Sequence, residues 1–462
     1  MAMLDGSQID AILSGAPGVV PEFSEEGIGR GYAAEQSGAL AFDHSQQIWF
    51  MWEGARWVAD KTGIAFDRAR EYVRRQAKSP LPTEKQLTAM GRIAFVRAID
   101  GFARADQRLA VHQGMWDADP WLLGIPGGVV DLRTGKEGNA DPGQWISRQC
   151  AVAPARPGKA APMWHDFLQQ ATNGDLQTQA FLQRFAGYCL TGDVSEEMLS
   201  FIYGPGGNGK GVFVTTMTTI MADYAVAMPM EAFTAEARMP QEYYRAQMAG
   251  ARLVSASETE AGRTWAESQI KEMTGNEAPV SARHPYGRPF TYRPQFKLMF
   301  VGNHAPRLKS KSQAMERRLR IIPFEHEPAK PDPTLKDKLR AEYPQVLRWM
   351  IDGCLMWQRE RLGTAPAIAA KTSAYFEQQD GFGRWLAERC IVDLTLQTRP
   401  GQLYGDFKAW CLGNGEHAPS NAEFAETVDR TKGLRRTKTA GVPWVKGVGL
   451  KPSAGDSRYG DE

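Results

Sequence analysis

Residues Leu199–Gly211 read LSFIYGPGGNGKG, and the rest of the chain is best read outward from them. The apolar run Leu199 to Tyr203 has the composition of a buried strand. It gives way to a glycine-rich turn, and a helical pattern begins near Lys210. The spacing Gly204-x-x-x-x-Gly209-Lys210 is that of a phosphate-binding loop between a strand and a helix. Its glycines, Gly204, Gly206, Gly207 and Gly209, let successive backbone N–H groups turn inward without a Cβ clash, with Pro205 and Asn208 completing the turn. The helix start adds partial positive charge, and Lys210 is placed to reach the β- and γ-phosphates of a nucleotide. One position departs from the pattern. A Ser or Thr whose hydroxyl binds Mg²⁺ is expected after the lysine, and the residue there is Gly211. The plain alternative is a glycine-rich turn with a surface lysine; the strand and helix on either side argue against it.

A chain of 462 residues has room for about three domains. Its apolar and charged fractions are those of a globular protein. A formal charge of +2 gives no overall basic signature, so any nucleic-acid case rests on local clusters. Cys150, Cys189, Cys354, Cys390 and Cys411 are odd in number, far apart and without zinc-ligand spacing, which predicts buried reduced thiols in a cytoplasmic protein. No apolar run approaches the ~18 residues of a membrane span. The start, MAMLDGSQIDAIL, lacks the basic and apolar regions of a secretory signal.

The expected class is α/β, divided at residues 1–110, 111–195, 196–330, 331–371 and 372–462. The first part reads as mixed, with a tryptophan-rich hairpin (Ile48–Trp52, then Arg56–Ala59) and helical stretches at Asp67–Lys78 and Glu84–Phe102. The three tryptophans suit the core of a small hairpin better than a base-stacking platform. Residues 114–150 are rich in strand and turn signals. Phe181, Leu182, Phe185 and Tyr188 then fall at helical spacing. Leu199–Tyr203, Ala251–Ala256 and Lys297–Val301 suit buried strands of a central sheet. Residues 333–362 read as helical. The tail reads as helices at Phe382–Cys390, Leu403–Leu412 and Asn421–Arg430 with a strand at Val442–Leu450, a winged-helix-like pattern.

Nucleotide hydrolysis needs a metal, a group that activates water and positive charge on the γ-phosphate. The strand ending at Ser257 delivers Glu258 and Glu260, which are candidates to hold Mg²⁺, directly or through water, and to polarise the attacking water. With no hydroxyl at Gly211, Glu258 and water carry more of the metal. Asn303, after the strand Lys297–Val301, is placed to bond the water or the γ-phosphate. Arg307, Lys309, Lys311, Arg317, Arg318 and Arg320 put six cations in fourteen residues, broken by Glu316. Arg317 or Arg318 is a candidate arginine finger for nucleotide on a neighbouring subunit. Arg283, His284, Tyr286 and Arg288 cluster at a hairpin-like turn whose basic and aromatic groups suit single-stranded DNA, with Lys271 upstream. The tail run with Arg435, Arg436 and Lys438 is a basic footprint for phosphate contact. Solvated acidic or basic surface is the bland reading of each cluster.

In this order the motifs resemble those of the superfamily 3 helicases. The set comprises the phosphate loop, Glu258-Thr-Glu260, Gln269–Gly275, Ala282-Arg-His284, Gly302-Asn303 and Arg317–Phe324. The chain is most similar to the phage and plasmid primase–helicases related to those of poxviruses. Trp116–Leu123, Gly128–Gly135 and Gly187–Gly192 resemble that family's linker domain. The resemblance implies a modified AAA+ ATPase that uses ATP and Mg²⁺. It also implies a homo-oligomeric ring, usually a hexamer, moving along one strand of single-stranded or forked DNA. In that scheme Arg283 and His284 fall in the DNA-contacting hairpin. The first ~110 residues have no room for the primase domain of many relatives, so a separate primase is the expected partner. A protein encoded by a phage or mobile element in a bacterial host is expected. The alternative is an ATP-assembled origin-binding initiator with little unwinding, and a third reading is a nucleotide switch without a DNA-tracking hairpin.

Overall fold

The computed structural model describes residues 22–235, 237–258, 263–275, 278–308, 313–328, 330–415 and 418–452, apart from the Glu258 side chain. Glu260, Lys309 and Lys311 lie outside the described residues.

The N-terminal part packs helices Glu25–Glu35, Ile64–Ala77, Glu84–Met90 and Ile93–Ala105 with a small sheet. Its strands β1 (Leu40–Asp43), β2 (Ile48–Trp52), β3 (Trp57–Ala59) and β4 (Ala110–Val111) lie in the order β3-β2-β1-β4. The hairpin read from sequence is β2–β3, with Trp52 opposite Trp57. Two of its tryptophans are buried: Trp49 donates to Asp100 Oδ1 at 2.9 Å, and Trp57 stacks on Trp145 at 5.3 Å. They serve packing, as aromatic bulk at a small core does. The helix expected over Glu84–Phe102 is broken at Gly91–Arg92 into two.

A three-stranded meander follows, β5 (Leu122–Ile125), β6 (Gly128–Asp131) and β7 (Lys136–Gly138). Helices Pro162–Ala171 and Leu176–Leu190 come next. Phe181, Leu182, Phe185 and Tyr188 are buried as their spacing predicts. The second helix crosses Tyr343–Glu360 closely at Gly187 and Gly353. A Cβ on Gly187 would collide with the Cys354 backbone, and one on Gly353 with the Gln183 carbonyl.

The centre is a fully parallel five-stranded sheet of β8 (Leu199–Tyr203), β9 (Ala225–Pro229), β10 (Leu253–Glu258), β13 (Lys297–Gly302) and β14 (Leu319–Pro323), in the order β14-β8-β13-β10-β9. The antiparallel pair β11 (Val280–Arg283) and β12 (Pro289–Tyr292) is inserted before β13. β8 and β13 are buried on both faces over most of their length, as central strands between helices are.

Two buried cations anchor the N-terminal edge of this sheet. Arg252, just before β10, donates to the carbonyls of Leu190 and Leu122, both at 2.7 Å, and lies over the Tyr224 ring. Lys297, the first residue of β13, donates to the carbonyls of Thr191, Asp193 and Gln295 and lies over the Tyr188 ring at 4.6 Å. Burial pushes its pKa down to about 7.

The helix Pro366–Gln379 runs across residue 372 and packs on β14, its Thr372 hydroxyl accepting from the Ile321 N–H at 3.0 Å. The tail unit therefore begins beyond it, later than the sequence boundary. That unit runs helix Gly381–Arg389, β15 (Cys390–Thr398), helices Pro400–Gly413 and Asn421–Arg430, β16 (Arg435–Thr439) and β17 (Val442–Leu450), with strand order β15-β17-β16. Trp385, Phe407 and Phe424 fill its own core. All five cysteines are buried, and burial raises the Cys150, Cys189, Cys354 and Cys390 thiols to about 12. Among the described residues no helix is long and apolar enough to cross a membrane.

Candidate functional site

The glycine-rich loop leaves the C-terminal end of β8 and enters the helix Lys210–Met221. Gly206, Gly207 and Gly209 have φ of 148°, 64° and 84°, a region that L side chains rarely adopt. A Cβ on Gly204 would collide with the Phe324 carbonyl, and one on Gly209 would overlap the Phe167 ring. Open space lies beside Gly206. Phe167 is set by the helix Pro162–Ala171, whose first N–H groups are capped by the Glu342 carboxylate (Trp164 N–H to Oε2 2.9 Å).

Lys210 is buried, and its ammonium donates to the Gly204 carbonyl at 2.5 Å and to Asn208 Oδ1 at 3.0 Å. Asn208 is buried as well and donates to the Phe324 carbonyl. Both acceptors of Lys210 are neutral, and desolvation lowers its pKa. A desolvated ammonium beside inward-turned glycines at a helix start is complementary to an anion. The loop therefore fits a phosphate group. Gly211 follows in the first helical turn and is exposed, so the protein offers no hydroxyl there for a metal. A cleft of about 310 Å³ is lined by Ala171, Thr172, Asn173, Pro323, Glu325 and His326.

Sheet register brings the other candidates to the same edge. Gly302 pairs with Tyr203 on one side and with Glu258 on the other. Asn303 follows β13, the strand next to β8, and Glu258 ends β10, one strand further from the loop. Asn303 is exposed.

Arg317 and Arg318 lie at the opposite edge. They end the helix Gln313–Arg318, and the next residue, Leu319, pairs with Leu199 at the start of β8. Five residues of strand put roughly 16 Å between that edge and the loop. Arg318 is engaged within the chain, with Nη2 on Glu197 Oε2 at 2.9 Å and Nε on Thr274 Oγ1 at 3.1 Å. Arg317 is exposed, and its side chain has no partner among the described residues.

The β11–β12 pair closes through His284–Arg288, where Tyr286 takes φ 61° and is fully exposed. His284 stacks on Phe290 at 5.5 Å, and Arg288 is exposed. Arg283 sits lower on the hairpin than the tip assigned from sequence, over the Tyr243 ring and 3.7 Å from Glu242. Lys271 pairs with Glu267 at 3.6 Å along its own helix. In the tail, Arg435 and Lys438 are exposed on β16, whereas Arg436 is held by Asp429 (Nε to Oδ1 2.8 Å). Lys451, further along the tail, donates to the carbonyls of Ala387 and Glu388. The sequence reading missed Arg252 and Lys297; the signal was a lone cation at the start of each apolar strand.

Residues 32–173 match a family model described as D5 N terminal like, and residues 202–318 match a family of unknown function, DUF5906. The chain is 28% identical over 283 residues to the putative helicase 022R of Frog virus 3 (isolate Goorha), covering 56% of this chain and 28% of that protein. It is 26% identical over 215 residues to the putative helicase L207/L206 of Acanthamoeba polyphaga mimivirus, covering 45% of this chain and 22% of that protein. It thus aligns with less than a third of each relative. The apo structure of the NrS-1 C-terminal region shares the fold, with a TM-score of 0.53 at 9% identity over 89% of this chain and 96% of that one. A D5-type segment, viral relatives named putative helicases and this fold together support the resemblance of the chain to phage and viral primase–helicases.

Proposed function

We propose that the chain is an ATP-dependent DNA helicase subunit of the superfamily 3 type, with a modified AAA+ core and a winged-helix-like tail. The observation that carries this reading is Lys210: a buried ammonium, bonded among the described residues to neutral oxygens, at the mouth of a glycine loop that fits phosphate. The strand order β14-β8-β13-β10-β9, 5-1-4-3-2 within this sheet, supports the AAA+ reading, with Asn303 one strand and Glu258 two strands from β8 at its C-terminal edge. The tail order of helix, strand, two helices and two strands supports the winged-helix reading.

When bound, ATP would supply the phosphoryl group to be transferred, with Mg²⁺ neutralising its charge. Lys210 and the loop N–H groups would hold the phosphates. Glu258 would hold the metal through water or polarise the attacking water, with Glu260 beside it in sequence; Asn303 would orient that water. Arg317 is the preferred finger, because it has no partner among the described residues and stands too far from its own loop to act in the same subunit. That placement supports a ring in which a neighbour would complete each site. The exposed His284–Arg288 tip would contact single-stranded DNA by stacking and charge, and Arg435 and Lys438 would add phosphate contacts.

The test is helicase activity itself. Unwinding of a forked duplex that requires ATP and is lost in Lys210→Ala supports the reading. DNA binding without ATP-driven unwinding by the wild type favours the initiator alternative.

A further inference from the structure

The position that lacks a hydroxyl is not empty of chemistry. A Cβ built on Gly211 would meet a single atom within 4 Å, Lys336 Nζ at 3.7 Å. Lys336 belongs to the short helix Leu335–Leu339, which is fixed to the core by Leu335 and the buried Leu339. Its neighbour Lys338 is paired with Asp332 at 2.7 Å, and the Thr334 hydroxyl bonds the same carboxylate. Lys336 is exposed and has no hydrogen bond or ion pair among the described residues. An ammonium without a counter-ion thus stands over the first turn of the loop helix, beside the loop that already holds Lys210.

We propose that Lys336 is a second phosphate-binding cation of the nucleotide site, supplying at Gly211 the positive charge that a hydroxyl-held Mg²⁺ supplies in the usual loop. This inference rests on the nucleotide reading above. A metal held by a hydroxyl at that position would lie one C–O bond and one metal–oxygen contact of about 2.1 Å from the same Cβ. The Lys336 ammonium falls at a similar radius. Lysine is a compact point charge suited to non-bridging phosphate oxygens, and its bonds to them are of the strong, charge-assisted kind. The helix that carries it follows β14, so nucleotide binding would also tie this segment to the loop. The consequence is specific: triphosphate binding depends less on Mg²⁺ than a hydroxyl-bearing loop would require.

Calorimetric titration with a non-hydrolysable ATP analogue, in EDTA and in MgCl₂, tests this on the full chain. The wild type should bind in EDTA within roughly threefold of its affinity in Mg²⁺. Lys336→Ala should lose about tenfold or more in EDTA with an unchanged unfolding midpoint, since the side chain is exposed. Adding Gly211→Ser to Lys336→Ala should restore affinity in Mg²⁺ but not in EDTA; the site has room for that side chain once Lys336 is shortened. If Lys336→Ala binds like the wild type in EDTA while Lys210→Ala does not bind, the role of Lys336 is overturned and the nucleotide reading stands. If the wild type binds no better than Lys210→Ala in either buffer, the nucleotide reading fails and this inference with it.

Discussion

Lys210 Nζ donates to Asn208 Oδ1 at 3.0 Å, and the same amide donates through Nδ2 to the Phe324 carbonyl. Asn208 thus links the ammonium to the strand end of β14 and fixes where it points. Replacing Asn208 by Ala frees Lys210 and leaves a buried carbonyl unpaired. The expected outcome is about a tenfold loss of nucleotide affinity and a stability loss of about 1–3 kcal/mol. Nucleotide titration and urea unfolding measure the two effects separately. Unchanged affinity would mean that Lys210 is positioned without its amide partner.

Arg317 and Arg318 are adjacent, yet they should behave differently. Arg317→Ala should fold like the wild type and lose about 10³-fold or more in ATP turnover. Arg318→Ala removes the contacts to Glu197 and Thr274 and should cost about 1 kcal/mol of stability. The decisive experiment mixes two inactive variants, Lys210→Ala and Arg317→Ala. Regained hydrolysis in the mixture is expected, because intact loops then meet intact arginines across subunits. No recovery in co-assembled oligomers would rule out Arg317 as a finger in trans.

The hairpin tip can be changed without touching the core. Tyr286→Ala and Arg288→Ala should leave the unfolding midpoint unchanged, since both side chains are exposed. Single-stranded DNA affinity should fall, by about 1–3 kcal/mol for the stacking residue Tyr286. Fluorescence anisotropy with a labelled oligonucleotide reads the loss. DNA binding that is indifferent to both changes would assign contact to another surface.

Lys297 gives a pH signature. Its folded pKa of about 7 lies below the ordinary lysine value of 10.5. Between these values the unfolded chain holds a proton that the folded chain has released, so stability rises with pH across this window. Below pH 7 the cost of the buried charge is fully present. Lys297→Met should flatten the rise by up to one proton's slope when urea midpoints are compared from pH 7 to 10. Parallel slopes for the two proteins would show that Lys297 stays charged throughout, held by its three carbonyls.

Much of the site could be read from sequence because its parts are local. The loop needs glycines at fixed offsets, and the strand Leu199–Tyr203 ends where its apolar run ends. The helix Asn421–Arg430 and strand Val442–Leu450 lie where the sequence predicts them. β15 was not, because Ile391, Val392 and Leu394 are exposed and carry no alternating burial. The boundary near residue 372 was misplaced because Thr372 owes its position to β14, a long-range contact that local pattern does not encode. The roles of Arg252 and Lys297 depend on carbonyls from the segment 119–193, far away in the chain. The inequality of Arg317 and Arg318 likewise needed Glu197 in view.

The central claim is a DNA-coupled ATP motor, and steady-state ATP hydrolysis with and without single-stranded DNA tests it most directly, with Lys210→Ala as the blank. The account predicts hydrolysis by the wild type that rises strongly with DNA and is absent in Lys210→Ala. Wild-type hydrolysis no faster than Lys210→Ala, with and without DNA, would contradict it.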